Sequence, residues 1–248
     1  MSIRTLYGTS LYQSGEASLL IYRKDTLFNG TAKGILAFHG HGASAAVFTP
    51  EATGNTFAIG THAAALAEAG YIVASIDAGG GVAWGNSAAM TAVTNAYDWL
   101  TSTVGAATGK VGLLGWSMGG LTALNWAKSN KPKVATCYLF APATDLDYFH
   151  DNATYTAEID AAYGGNYAIN SVGYNPIDDA STFTNAGIPM RLLHGTADAM
   201  VPPAQTTTYV AAVNDSEVTE KVLTGAGHTG QFGYISVDET AHYFLENH

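Results

Sequence analysis

Ser117 stands in Gly115-Trp116-Ser117-Met118-Gly119-Gly120, between an apolar run at 111–114 and a helical pattern over 118–128. A serine flanked by glycines at a strand-to-helix turn can be lifted above a sheet as a nucleophile, because glycine lets strand and helix approach closely around it. The backbone N–H of Met118 would then open the helix and face a developing oxyanion. A serine hydroxyl needs a base, and the base needs an orienting acid. His228 lies in Gly225-Ala226-Gly227-His228-Thr229-Gly230, after the strand pattern 218–223, and Asp198 follows the run 190–193 in His194-Gly195-Thr196-Ala197-Asp198. Taken singly, His228 could be a loop histidine and Asp198 a turn former. Three such residues in the order Ser117, Asp198, His228, each just past a strand, make a candidate catalytic set. Asp145, past the run 134–140, is a second candidate acid.

His39-Gly40-His41-Gly42 follows the run 34–38. A His-x-His pair could ligate a metal, but the chain continues with Ala43 and Ser44 and brings no Glu, Asp or Cys nearby to complete a zinc set. The preferred reading is a loop whose His41 N–H donates the second oxyanion hydrogen bond, with Gly40 and Gly42 letting backbone approach the substrate. A tight turn is the plain alternative. His39 and Gly40, with Trp84 and Trp116, are expected to line the substrate mouth. Asp77-Ala78-Gly79-Gly80-Gly81 lacks the Lys-Ser/Thr ending and register of a phosphate cradle, so it reads as a loop at that mouth.

These residues require a scaffold that brings several strand ends together. Short apolar runs alternate with helical patterns: strands at 17–22, 34–38, 71–76, 111–114, 134–140, 190–193 and 218–223, and helices at 61–69, 88–100, 118–128 and 237–246. Buried, non-alternating strands between helices predict an α/β fold with a mostly parallel central sheet and helices on both faces. Ligands gather beyond the carboxyl ends of such strands. The chain has 248 residues, which suits one domain over 1–248. The stretch at about 145–184 breaks the rhythm and reads as a lid-like insertion whose tyrosines pack on something.

Composition narrows the function classes. Hydrophobic residues make up 47% and charged ones only 12%, with 10 Lys+Arg against 20 Asp+Glu and a formal charge of −10. A core is affordable, and the basic footprint of a nucleic-acid binder is missing. Cys137 alone forms no intrachain disulfide and reads as a core residue. No apolar run approaches the ~18 residues of a membrane span. Met1-Ser2-Ile3-Arg4 opens no signal-peptide core, so a soluble protein is expected, cytoplasmic or virion-associated.

The chain resembles the α/β-hydrolase superfamily from about residue 17 onward. The residues that carry the resemblance are His39-Gly40, Gly115 to Gly120, His194-Gly195 with Asp198, Val201 and Pro202, and Gly227-His228. Tyr163-Gly164, Asn175-Pro176 and His194-Gly195 also look like the dienelactone-hydrolase and prolyl-oligopeptidase branches. Ser117 stands where dienelactone hydrolases carry Cys and haloalkane dehalogenases carry Asp, and nothing here could form a propeller. The Thr/Ala/Gly-rich composition is similar in style to esterase-type domains of actinobacteriophage tail proteins. The resemblance implies the α/β-hydrolase fold, sets Asp198 ahead of Asp145, which stands where some α/β-hydrolases take their acid, and implies a serine acyl-hydrolase of the esterase or lipase type. No cofactor or metal is expected. The expected partner is a small-molecule, lipid or glycan ester. A serine peptidase and a catalytically silent glycan or cell-wall binding module are the alternatives.

Overall fold

Runs such as Ile72-Val73-Ala74-Ser75-Ile76 and Val134-Ala135-Thr136-Cys137 are β-branched and apolar throughout, which suits strands buried on both faces. A computed structural model describes residues 8–12, 16–22, 26–49, 58–152 and 154–248. Its strands are β1 (Gly8–Tyr12), β2 (Glu16–Ile21), β3 (Gly34–Phe38), β4 (Ile72–Ile76), β5 (Val111–Trp116), β6 (Val134–Phe140), β7 (Met190–Gly195) and β8 (Val218–Leu223). Its helices are α1 (Ile59–Glu68), α2 (Ser87–Asp98), α3 (Met118–Ser129), α4 (Leu146–Asp151), α5 (Thr156–Ala162), α6 (Tyr167–Asn170), α7 (Pro203–Val213) and α8 (Val237–Asn247). No helix among the described residues is long and apolar enough to cross a membrane.

The strands form one eight-stranded sheet in the order β1-β2-β4-β3-β5-β6-β7-β8. β3 to β8 run parallel, while β2 pairs antiparallel with β4 and with β1. The chain steps from β3 outward to β4, then returns across to β5. That reversal leaves a crevice between the carboxyl ends of β3 and β5, where the loops diverge to opposite faces. Both candidate oxyanion segments, the loop after Phe38 and the turn at Ser117, leave from this crevice.

Alternate side chains of the parallel strands β3 to β7 feed two cores. Leu36, Phe38, Leu113, Leu139 and Leu192 pack against α2, α3 and α7 through Val93, Leu124, Trp126 and Tyr209. Ile35, Ala37, Leu114, Tyr138 and Phe140 pack on the other face against α1 and α8 through Ile59, Leu66 and Phe244. Each fully buried large side chain contributes roughly 1.5–3 kcal/mol of transfer free energy. Cys137 lies in the first core, where burial pushes its thiol pKa well up and keeps it protonated. Asn86 caps α2 by accepting from Ala89 N at 3.0 Å, and Ser236 caps α8 by accepting from Glu239 N at 3.1 Å.

Residues 145–184 hold α4, α5 and α6 and a third apolar cluster. Phe149, Ile159, Tyr163 and Tyr167 pack there with Trp84, Met118, Leu121 and Val201. Tyr163 Oη donates to Trp84 O at 2.9 Å, and Asn86 Nδ2 donates to Ala162 O at 2.7 Å. The segment is thereby fastened over the carboxyl ends of β4 and β5.

Candidate active site

Ser117 occupies the turn between β5 and α3 at φ +56° and ψ −121°, a region that residues with a Cβ rarely enter. Its carbonyl accepts from Gly120 N at 2.9 Å and Ala143 N at 3.0 Å, while its own N–H donates to Phe140 O at 2.9 Å. The neighbouring glycines are required by space. A Cβ on Gly119 would lie 2.2 Å from Phe38 O, and one on Gly120 2.5 Å from Pro142 Cβ. Strand, turn and helix can therefore hold the serine at the sheet edge only with these residues bare.

Loops after β7 and β8 are tied to one another. Thr196 N donates to Leu223 O at 3.0 Å, Ala197 N to Ala226 O at 3.0 Å, and Gly225 N to Thr196 Oγ1 at 2.8 Å. A Cβ on Gly195 would sit 2.1 Å from Ala226 O, so glycine alone permits this approach. The result is a buried contact of 2.7 Å between Asp198 Oδ2 and His228 Nδ1. Asp198 Oδ1 accepts from Met200 N and Val201 N, each at 2.9 Å. Burial works to raise the pKa of Asp198, but hydrogen bonds from His194, His228 and Val201 and the His228 charge overcome it, holding the carboxyl well below the usual range. An ionised Asp198 must accept, so His228 Nδ1 carries the hydrogen that faces it. Gln231 Nε2 donates to His228 O at 2.6 Å and steadies the loop.

His194 is a second histidine on the same carboxylate. Its Nε2 is 3.3 Å from Asp198 Oδ2 and 3.0 Å from Val201 O, while Nδ1 is 2.7 Å from Thr206 Oγ1. A carbonyl can only accept, so Nε2 is the donor and Nδ1 takes the Thr206 hydroxyl. Among the described residues the His228 ring bonds to Asp198 and not to Ser117. It lies beside Trp116, with ring centroids 5.5 Å apart. Asp145 caps α4 by accepting from Tyr148 N at 3.1 Å.

The remaining predicted residues divide. Gly40 packs against the Trp116 ring, where a Cβ would fall 3.0 Å from Cε3. His39 is buried, with Nδ1 2.8 Å from Gly40 O and Nε2 3.2 Å from Asp77 O, so its ring braces the loop. Trp84 likewise turns inward: it is 2% exposed and its Nε1 donates to Glu158 Oε1 at 2.5 Å. His39 and His41 point to different carboxylates, which is the wrong arrangement for a shared ligand set. Met118 opens α3, and its backbone N–H, like that of His41, donates to no other group among the described residues. Glu158, Tyr155 and Gln231 were not legible in the sequence, because none belongs to a motif or a diagnostic spacing. His194 was visible as part of a motif but without this role.

The sequence profile of the prolyl oligopeptidase family matches residues 57–247. No curated protein matches the chain by sequence. Among solved structures, Est1E from Butyrivibrio proteoclasticus superposes with a TM-score of 0.68 at 15% identity, covering 98% of each chain. A dienelactone hydrolase from Anabaena variabilis gives 0.64 at 16% identity over 99% of this chain and 98% of its own. A truncated carbohydrate esterase from gut microbiota gives 0.70 at 16% identity over 98% and 96%. At these identities the likeness is one of fold, and the fold is that of the α/β-hydrolases, as the motifs predict.

Proposed function

The chain belongs to the prolyl oligopeptidase family, and from that premise we propose a serine hydrolase that cleaves carboxylic esters through Ser117, His228 and Asp198. One observation carries the reading: a buried, ionised Asp198 held 2.7 Å from His228 Nδ1, at the sheet edge where Ser117 occupies its strained turn. Ser117 Oγ attacks the ester carbonyl as His228 Nε2 takes its proton. The Met118 and His41 N–H groups receive the oxyanion; losing one such donor typically costs about 10²–10³ in rate. The tetrahedral species collapses by expelling the alcohol, which takes its proton from His228 and leaves an acyl group on Ser117. Water, deprotonated by the same imidazole, then releases the acid. Asp198 orients His228 and stabilises the imidazolium without being protonated itself. In unliganded enzymes the serine–histidine contact is often long and tightens with substrate.

The fold likeness to Est1E and a carbohydrate esterase favours esters, while the matched family keeps a peptidase as the second reading. Hydrolysis of p-nitrophenyl esters of increasing acyl length, measured beside aminoacyl arylamides, separates the two. Ester turnover that exceeds amide turnover and disappears in Ser117→Ala is expected. Faster cleavage of the amides would overturn the ester assignment, and turnover surviving in Ser117→Ala would overturn the nucleophile.

A further inference from the structure

Glu158 belongs to no motif, yet it joins two parts of the site. It sits on α5, in the segment fastened over the strand ends, and its Oε1 accepts from two donors at once. Trp84 Nε1 is at 2.5 Å and His41 Nε2 at 2.7 Å. The His41 ring packs in an aromatic corner, tilted against Trp84 at 5.3 Å and edge-on to Tyr155 at 5.1 Å, and Trp84 is itself 5.4 Å from Phe149. The Glu158 and His41 side chains are only about a third exposed, at 33% and 28%. His41 is the residue whose backbone N–H is assigned to the oxyanion; its loop is otherwise tied by Gly42 N donating to Gly81 O at 2.8 Å, Ala43 N to Gly40 O at 3.2 Å, and the His39 ring 2.8 Å from Gly40 O. The carbonyl of that same peptide, Gly40 O, is held from within the loop, and the His41 side chain fixes the residue from the opposite segment, between two glycines that restrict the backbone little by themselves.

We propose that Glu158 is a positioning residue for the reaction. Its carboxylate holds the His41 imidazole, fixes the peptide that carries the oxyanion donor, and makes the 145–184 segment part of the oxyanion geometry. A donor displaced by a fraction of an ångström loses most of its value to the transition state while ground-state binding is hardly changed. The proposal rests on the serine-hydrolase reading of the same site.

The test is a kinetic series on a short p-nitrophenyl ester with wild type, Glu158→Ala, Glu158→Gln, His41→Ala and the Glu158→Ala/His41→Ala pair, each checked for an unchanged thermal midpoint. Glu158→Ala should lower kcat on the order of tenfold with KM little altered, and should weaken an alkylboronic acid, whose tetrahedral adduct uses the same donors, by a similar factor. Glu158→Gln keeps an acceptor oxygen and should recover most of the activity. His41→Ala keeps the backbone N–H and loses the tether, so it should match Glu158→Ala, and the double variant should be no worse than either. Wild-type kcat and boronate affinity in Glu158→Ala would overturn the proposal. A loss confined to KM, or additive losses in the double variant, would also overturn it. Ser117→Ala runs alongside: if it retains turnover, the serine reading has failed, whereas if it is inactive and Glu158→Ala is unaffected, only the tether has.

Discussion

At Ser117, in the turn between β5 and α3, the backbone is held at φ +56° and ψ −121°. Such a conformation costs a residue with a Cβ about 1–3 kcal/mol, and glycine far less. The Ser117 hydroxyl makes no hydrogen bond with a described residue, so its removal strands no partner. Ser117→Ala should therefore be inactive with nearly wild-type stability. Ser117→Gly should be inactive and more stable than Ser117→Ala by about 1 kcal/mol, after glycine's extra unfolded-chain entropy is subtracted. For a chain of this size that is a rise of about 2–4 °C in the thermal midpoint. Equal midpoints for the two variants would show that the turn stores no strain. The strained turn at Ser117 was legible because its glycines, its strand and its helix all sit within a few residues. Glu158 was not, since nothing in Thr156-Ala157-Glu158-Ile159 records that Trp84 and His41 will meet it.

Elements whose pattern is local were legible in the same way. The expected runs at 34–38, 134–140 and 218–223 coincide with β3, β6 and β8, and the expected helix at 118–128 with α3. The helix α7 was missed: Thr206-Thr207-Thr208 is β-branched and polar, and its helical state comes from tertiary packing of Tyr209 and Val213 into the sheet. Tertiary context also fixes how α1 behaves with pH. His62 on α1 is buried between Phe232 O, 3.0 Å from Nε2, and Thr240 Oγ1, 2.8 Å from Nδ1. Burial lowers its pKa, against smaller upward effects of the Phe232 carbonyl and the Glu239 charge. The unfolded chain then binds a proton first, so stability falls as pH descends from about 6.5 towards the folded value. His62→Gln has no such titration, and its unfolding free energy, followed by urea melts from pH 7 to 4.5, should decline less steeply than that of wild type. Parallel declines would show that His62 titrates alike in the folded and the unfolded chain.

At the scale of the whole molecule, the basic side chains among the described residues are sorted by the sheet's direction. Lys33, Lys110, Lys131 and Lys133 precede the strands they serve, Arg191 and Lys221 lie within β7 and β8, and Lys128 is in the last turn of α3. Residues 39–109, 134–190, 192–220 and 222–248 contain no Lys or Arg, so the loops leaving β4 to β8 at their carboxyl ends carry none. The same loops hold Asp77, Asp145, Asp147, Glu158, Asp160 and Asp198. A ligand approaching the proposed site thus meets one sign of charge, on a chain whose formal charge is −10. Fields of this kind raise the local concentration of opposite charge and lose their reach as the Debye length shrinks from about 30 Å at 0.01 M salt to below 10 Å at physiological strength. Butyrate esters of choline, of its uncharged 3,3-dimethylbutyl isostere and of glycolate differ mainly in the charge of the alcohol. At low salt kcat/KM should be greatest for the cation and least for the anion. Raising the salt to about 0.5 M should lower the first several-fold, raise the last and leave the neutral ester nearly unchanged. Opposite salt slopes are the decisive readout, because intrinsic differences between the alcohols do not vary with ionic strength. Three flat slopes would mean that the acidic loops act locally, through bonds such as those of Asp198 and Glu158, and not as a field over the site.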